Sequence, residues 1–77
     1  MSRNGKHRNK DFTFARRLDR LMVERKLYPS DVQRLTGVHR QCIYEYVQGI
    51  KEPNLTSLAK LAHGLKVSAD WLLGLKE

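Results

Sequence analysis

The stretch Pro29–Gln48, PSDVQRLTGVHRQCIYEYVQ, is the most informative part of the chain. Pro29 suits the first position of a helix, where a missing N–H costs nothing. Val32, Leu35 and Thr36 form the inner stripe of a short helix, and Gly37 fits a C′ position that needs positive φ. A further helix follows almost at once, over roughly 40–47, and stops near Gly49. Val32, Val38, Ile43 and Tyr46 are the apolar positions that hold the two helices at a steep angle. A short helix, a tight turn and a second helix in this register is helix-turn-helix spacing.

The second of these helices has two unlike sides. On a wheel of about 100° per residue, Cys42, Tyr46, Ile43 and Val47 share one arc, which is apolar and predicts a buried side. Arg40, Tyr44, Gln48, Gln41 and Glu45 fill the opposite arc with long side chains that donate and accept hydrogen bonds. An ordinary solvated face is usually rich in Lys and Glu. This one holds Arg, Tyr and two Gln and no Lys. Arg can fork onto guanine O6 and N7, and Gln onto adenine N6 and N7. The pattern favours a face that reads base edges over a plain surface.

Outward from the stretch, the remaining chain reads as helices. Phe14, Leu18, Leu21 and Met22 recur at helical spacing from Phe12 onward, and Pro29 ends that helix no later than about Leu27. Asn54 is a good N-cap for a helix over 55–63 with Leu55, Leu58, Leu61 and Ala62 as its apolar side and Gly64 after its end. Ser68 caps a last short helix over 69–73, with Asp70 in its first turn. Val67, Trp71, Leu72 and Leu75 are expected to close the core. No stretch reads as a strand. The expected fold is an all-α globule of five helices over residues 12–77, preceded by a flexible basic tail over residues 1–11, MSRNGKHRNKD. That tail is either a solvated terminus or an arm for phosphates or a minor groove.

Composition narrows the function. Seventy-seven residues make one small domain, and fifteen Lys and Arg against eight Asp and Glu give a net charge of +7. The excess sits in residues 1–40, with eleven basic and four acidic residues; residues 41–77 hold four of each. A basic front half points to a polyanion, most often nucleic acid. The single cysteine excludes an internal disulfide framework and a zinc finger. No apolar run is long enough to span a membrane or to serve as a secretory signal, so the cytoplasm is the expected location.

The order of Phe14, Arg17-Leu18, Leu21, Leu27, Leu35-Thr36-Gly37-Val38, Ile43, Tyr46, Gly49, Lys51-Glu52-Pro53-Asn54, Leu58-Ala59-Lys60-Leu61-Ala62 and Val67-Ser68-Ala69-Asp70-Trp71-Leu72-Leu73-Gly74 resembles the Cro/phage-repressor helix-turn-helix family of bacterial transcriptional regulators. The resemblance covers about four-fifths of the chain. It implies a five-helix, lambda-repressor-like domain whose third helix enters the major groove, usually as a dimer on a two-fold operator. By position, it places His39, Arg40, Gln41, Tyr44 and Glu45 at base edges. Gln48 and Lys51 fall where the loop after helix three meets the phosphate backbone.

Three departures from that pattern matter, the third of them a pair of residues. The family usually has Gln where this chain has Pro29, so a phosphate contact is either lost or passes to Tyr28 or Ser30. Gln33 stands where the family prefers alanine, which implies a slightly opened turn or an outward side chain. Met22 and Val47 stand where many relatives carry a partly buried Arg–Glu ion pair. An apolar pair can replace such ions without loss, and the two side chains are expected to touch.

The reading is then a sequence-specific, double-stranded-DNA-binding transcriptional regulator, most simply a repressor. Arg16, Arg17, Arg34, Lys51 and the tail supply attraction blind to sequence. Arg40, Gln41 and Tyr44 select bases, and Glu45 either accepts from a cytosine amino group or repels wrong sites. A homodimer on an inverted repeat is expected, joined near residues 53–60 and 71–75. The rival class is a protein-interaction module, antitoxin-like or an accessory regulator, on the same fold. RNA binding lacks an aromatic platform on a sheet. Neither an enzyme nor a cofactor or metal is expected. Cys42 reads as a buried inert thiol, His63 as a helix-end group, and no nucleophile has a base at recognisable spacing.

Overall fold

A computed structural model describes residues 13–76. The basic tail and Phe12 lie outside the described residues. Among the described residues five helices follow one another: α1 (Thr13–Arg25), α2 (Pro29–Thr36), α3 (Arg40–Val47), α4 (Leu55–Leu65) and α5 (Ala69–Leu73). α2 packs on both α3 and α4, α1 on α3 and α5, and α4 on α5. Phe14, Leu18, Val32, Ile43, Leu61 and Leu72 are fully buried at the centre. Leu21, Met22, Val38, Tyr46 and Leu65 complete the core, and Leu27, Cys42, Val47, Leu58, Ala62, Val67 and Trp71 pack against it. The Phe14 and Tyr46 rings meet edge to face, with centroids 5.7 Å apart, and so join α1 to α3.

Each helix end has a local cause. Pro29 opens α2, and Asp31 reaches back to accept from the Tyr28 N–H at 2.8 Å. Asn54 and Ser68 cap α4 and α5 by accepting from the backbone N–H of Ser57 and Trp71. Gly37 takes φ 83° after α2, and its N–H closes onto the Gln33 carbonyl. α1, α3, α4 and α5 each end in a paired closure. A residue just beyond the helix end donates back five positions, as Leu27 does to Met22, Ile50 to Glu45, Val67 to Ala62 and Leu75 to Asp70. Two of these closures place a lysine in the left-handed region, Lys26 at φ 58° and Lys66 at φ 59°.

The structure corrects four sequence expectations. Gly64 does not follow α4; it lies inside that helix, and α4 runs on to Leu65. A methyl group on Gly64 would meet the Leu35 carbonyl oxygen at 2.5 Å and Thr36 Cα at 2.8 Å, so this glycine serves the close approach of α4 to α2. Leu55 and Leu75 are not core residues but are 85% and 74% exposed. Leu35 is half exposed at 48%, so Val32 carries the buried side of α2 almost alone. Cys42 is partly rather than fully buried.

Candidate nucleic-acid interface

The helix-turn-helix is held by hydrogen bonds that cross its turn. The Thr36 hydroxyl donates to the Val32 carbonyl at 2.7 Å and accepts from the Val38 N–H at 3.1 Å. Gln33 Oε1 accepts from the Arg40 N–H at 2.9 Å. His39 caps α3, its Nδ1 accepting from the Gln41 N–H at 3.1 Å. With Nδ1 an acceptor, a neutral His39 carries its proton on Nε2. Two of the first N–H groups of α3 are therefore satisfied by side chains, which fixes the helix start against α2. Gln33 resolves one of the family departures: its side chain turns across to the start of α3.

α3 presents the two sides its sequence predicts. Ile43 and Tyr46 are buried, and Cys42 and Val47 are half-buried against the core. On the other side Arg40, Gln41 and Tyr44 are exposed, while Glu45 and Gln48 are half-buried. Gln48 ends the helix, donating its N–H to the Tyr44 carbonyl. Gly49, at φ 73°, then turns the chain back, so Lys51 returns beside the helix. Lys51 Nζ lies 3.3 Å from Glu45 Oε1 and 3.6 Å from Cys42 Sγ. The hydrogen bond to Glu45 is the main reason that the Lys51 ammonium is held above its ordinary pKa of 10.5; Cys42 adds to the effect.

Of the residues singled out from sequence, the structure gathers His39, Arg40, Gln41, Tyr44, Glu45, Gln48 and Lys51 on α3 and the loop after it. Tyr28 and Ser30 are exposed at the start of α2, and Arg34 is exposed at its end, 3.3 Å from Asp31. Arg16 and Arg17 sit elsewhere. With Thr13, Arg20 and Trp71 they line a polar groove between α1 and α5. Arg17 donates through Nη1 to the carbonyls of Trp71 and Lys76, both at 2.7 Å, and its guanidinium lies 5.0 Å from the Trp71 ring centre. Arg17 thus anchors α5 to α1. Sequence reasoning missed the part of Arg20, 5.9 Å from the same ring, although its four-residue spacing from Arg16 puts both on one face.

A family model described as helix-turn-helix matches residues 15–72, which take in α2, α3 and the turn between them. The chain belongs to the helix-turn-helix family. That family and this fold are those of DNA-binding transcription regulators rather than enzymes. The restriction-modification controller protein C.AhdI from Aeromonas hydrophila superposes with a TM-score of 0.72 at 24% identity, over 79% of this chain and 92% of its own. The P22 c2 repressor, solved in complex with a synthetic operator, also gives 0.72, at 25% identity over 78% and 91%. An HTH_3 family transcriptional regulator from Vibrio cholerae gives 0.76 at 25% identity, over 87% of this chain and 38% of its own. No curated protein sequence matches the chain significantly. Among the described residues, no helix is long and apolar enough to cross a membrane.

Proposed function

We propose that this protein is a sequence-specific repressor that lays α3 in the major groove of double-stranded DNA. The observation carrying this reading is the exposed hydrophilic side of α3. Arg40, Gln41 and Tyr44 face outward while Ile43 and Tyr46, on the same two turns, hold the helix to the core. His39 completes the base-reading set, and Glu45 lies beside it on the same side of α3. Tyr28, Ser30, Arg34, Gln48 and Lys51 flank it at positions suited to phosphate contacts. Arg16 and Arg17 add basic charge on α1, as does the N-terminal tail.

One helix of eight residues reads only a few base pairs, so the functional unit is a homodimer on an inverted repeat, with half-sites about one helical turn apart. The exposed apolar side chains of Leu55, Leu73 and Leu75 support a dimer face near the start of α4 and the end of α5. A repressor of this kind works in the cytoplasm.

Selection of bound sequences from random duplex DNA tests the proposal. An inverted repeat is the expected product, with binding that weakens steeply as salt rises. Duplex binding without a preferred sequence would overturn sequence-specific regulation. Absence of DNA binding at low salt would replace it with the protein-interaction reading.

A further inference from the structure

Glu45 has both carboxylate oxygens engaged within the chain. Its Oε1 faces Lys51 Nζ at 3.3 Å, and its Oε2 accepts from Gln41 Nε2 at 3.4 Å. We propose that Lys51, Glu45 and Gln41 form a relay in which Gln41 reads adenine while Glu45 and Lys51 act as positioning residues. The inference rests on α3 lying in the major groove, as proposed above.

The chemistry of the groups sets the orientation. An ionised carboxylate only accepts, so the NH2 end of the Gln41 amide must turn toward Glu45 and its Oε1 away from it. Glu45 occupies one Nε2 hydrogen. In the relay that hydrogen is the one opposite Oε1, so the other is left beside Oε1 to form a donor–acceptor edge. Adenine presents the complement in the major groove, an acceptor at N7 and a donor at N6. Guanine presents two acceptors there, and Oε1 would meet one of them unpaired. A free glutamine samples both amide orientations; this one is held in the adenine-reading orientation before DNA arrives.

Lys51 gives the relay its second function. A carboxylate on the DNA-facing side of α3 is repelled by the phosphates and would swing away, carrying the Gln41 amide with it. The Lys51 ammonium compensates that charge and holds Glu45 in place. Cys42 Sγ, 3.6 Å away, takes a second ammonium hydrogen. The closure at Gly49 and Ile50 brings Lys51 back to this spot, with the Ile50 N–H donating to the carbonyl of Glu45 itself. Both ends of the relay are therefore built on the backbone of one helix and its cap.

The test is base selection from random duplexes by the wild type, Gln41→Ala, Glu45→Gln, Lys51→Met and Lys51→Arg, each checked to be fully folded by its cooperative unfolding. Gln41→Ala should erase an adenine preference at one pair of each half-site. Lys51→Met should lower the adenine enrichment at that same pair by about fivefold, the lower end for a bidentate contact, and Lys51→Arg should restore it. The relay is overturned if Lys51→Met weakens all sequences equally with a shallower salt dependence, the mark of a phosphate contact alone. It is equally overturned if Glu45→Gln alters a cytosine preference that Gln41→Ala leaves intact. If the wild type selects no sequence, the DNA reading itself fails. The relay is then decided in the free protein by NMR: the Gln41 side-chain amide resonances should move on Lys51→Met, and unmoved resonances would dispose of the relay.

Discussion

Gln33 Oε1 accepts from the backbone N–H of Arg40 at 2.9 Å, so a side chain of α2 caps the first turn of α3. This bond spans the turn that joins α2 to α3. Gln33→Ala should destabilise the fold by about 0.5–1.5 kcal/mol. It should weaken DNA binding further than that loss of folded protein explains, because the tilt of α3 is freed. Denaturant unfolding and DNA titration on the same variant check both parts.

Gly64 is a second contact between layers. A glycine within a helix ordinarily gains from replacement by alanine, by about 1 kcal/mol. Here the added methyl meets backbone on α2 at 2.5 Å. Gly64→Ala should therefore destabilise, by about 1–3 kcal/mol, the range for overpacking. A stabilised variant would mean that α2 and α4 lie farther apart than described.

Lys66 ends α4 in a left-handed conformation that penalises any side chain. Lys66→Gly should stabilise the protein by about 0.5–1 kcal/mol, the relief being offset in part by the added freedom of the unfolded chain. Thermal unfolding at fixed pH measures it, and a lowered midpoint would contradict the φ of 59°.

Met22 is buried on α1, and Val47 packs against the same core from α3. Their contact remains a proposal, and charge can probe it. Met22→Arg alone should cost about 3–5 kcal/mol, the scale for a buried charge left unpaired. Adding Val47→Glu should recover most of that loss if the two side chains face each other. A double variant no more stable than the single one would separate them.

Lys51 supplies the pH test. Its folded pKa is raised above 10.5 by Glu45 and Cys42. The stabilisation from this pairing is fully present below the unfolded value and is lost as pH rises through the folded one. Titration of the Lys51 side chain by NMR should give a midpoint above 10.5 in the wild type and a lower one in Glu45→Gln.

Much of this was legible in the chain because local rules and burial agree. Pro29, Gly37, Asn54 and Ser68 mark helix ends by backbone chemistry that needs no partner, and both ends of α2 and the starts of α4 and α5 follow them. Ile43 and Tyr46 fall on the buried side of α3 by spacing alone. The misreadings came where tertiary contact outweighs local preference. Gly64 looks like a helix end, since nothing local reveals the Leu35 carbonyl beside it. Leu55 and Leu75 look like core residues because period counts apolar side chains and not the neighbours available to cover them. The bond from Gln33 to Arg40 and the pairing of Lys51 with Glu45 join residues six or seven positions apart across turns. Spacing rules within one helix do not reach them.

Arg17 grips the carbonyls of Trp71 and Lys76, and a methyl on Gly74 would lie 2.6 Å from Thr13 Cγ2. The described stretch thus closes into a ring, fastened where it begins and where it finishes. The outermost helices thus support each other, beside the packing of α1 on α3 and of α5 on α4. A peptide bridge of a few glycines could join these neighbouring ends, and new termini could open within the Lys51–Asn54 loop. Such a rearranged polypeptide would keep its order of packing while its folding began from a different pair of neighbours.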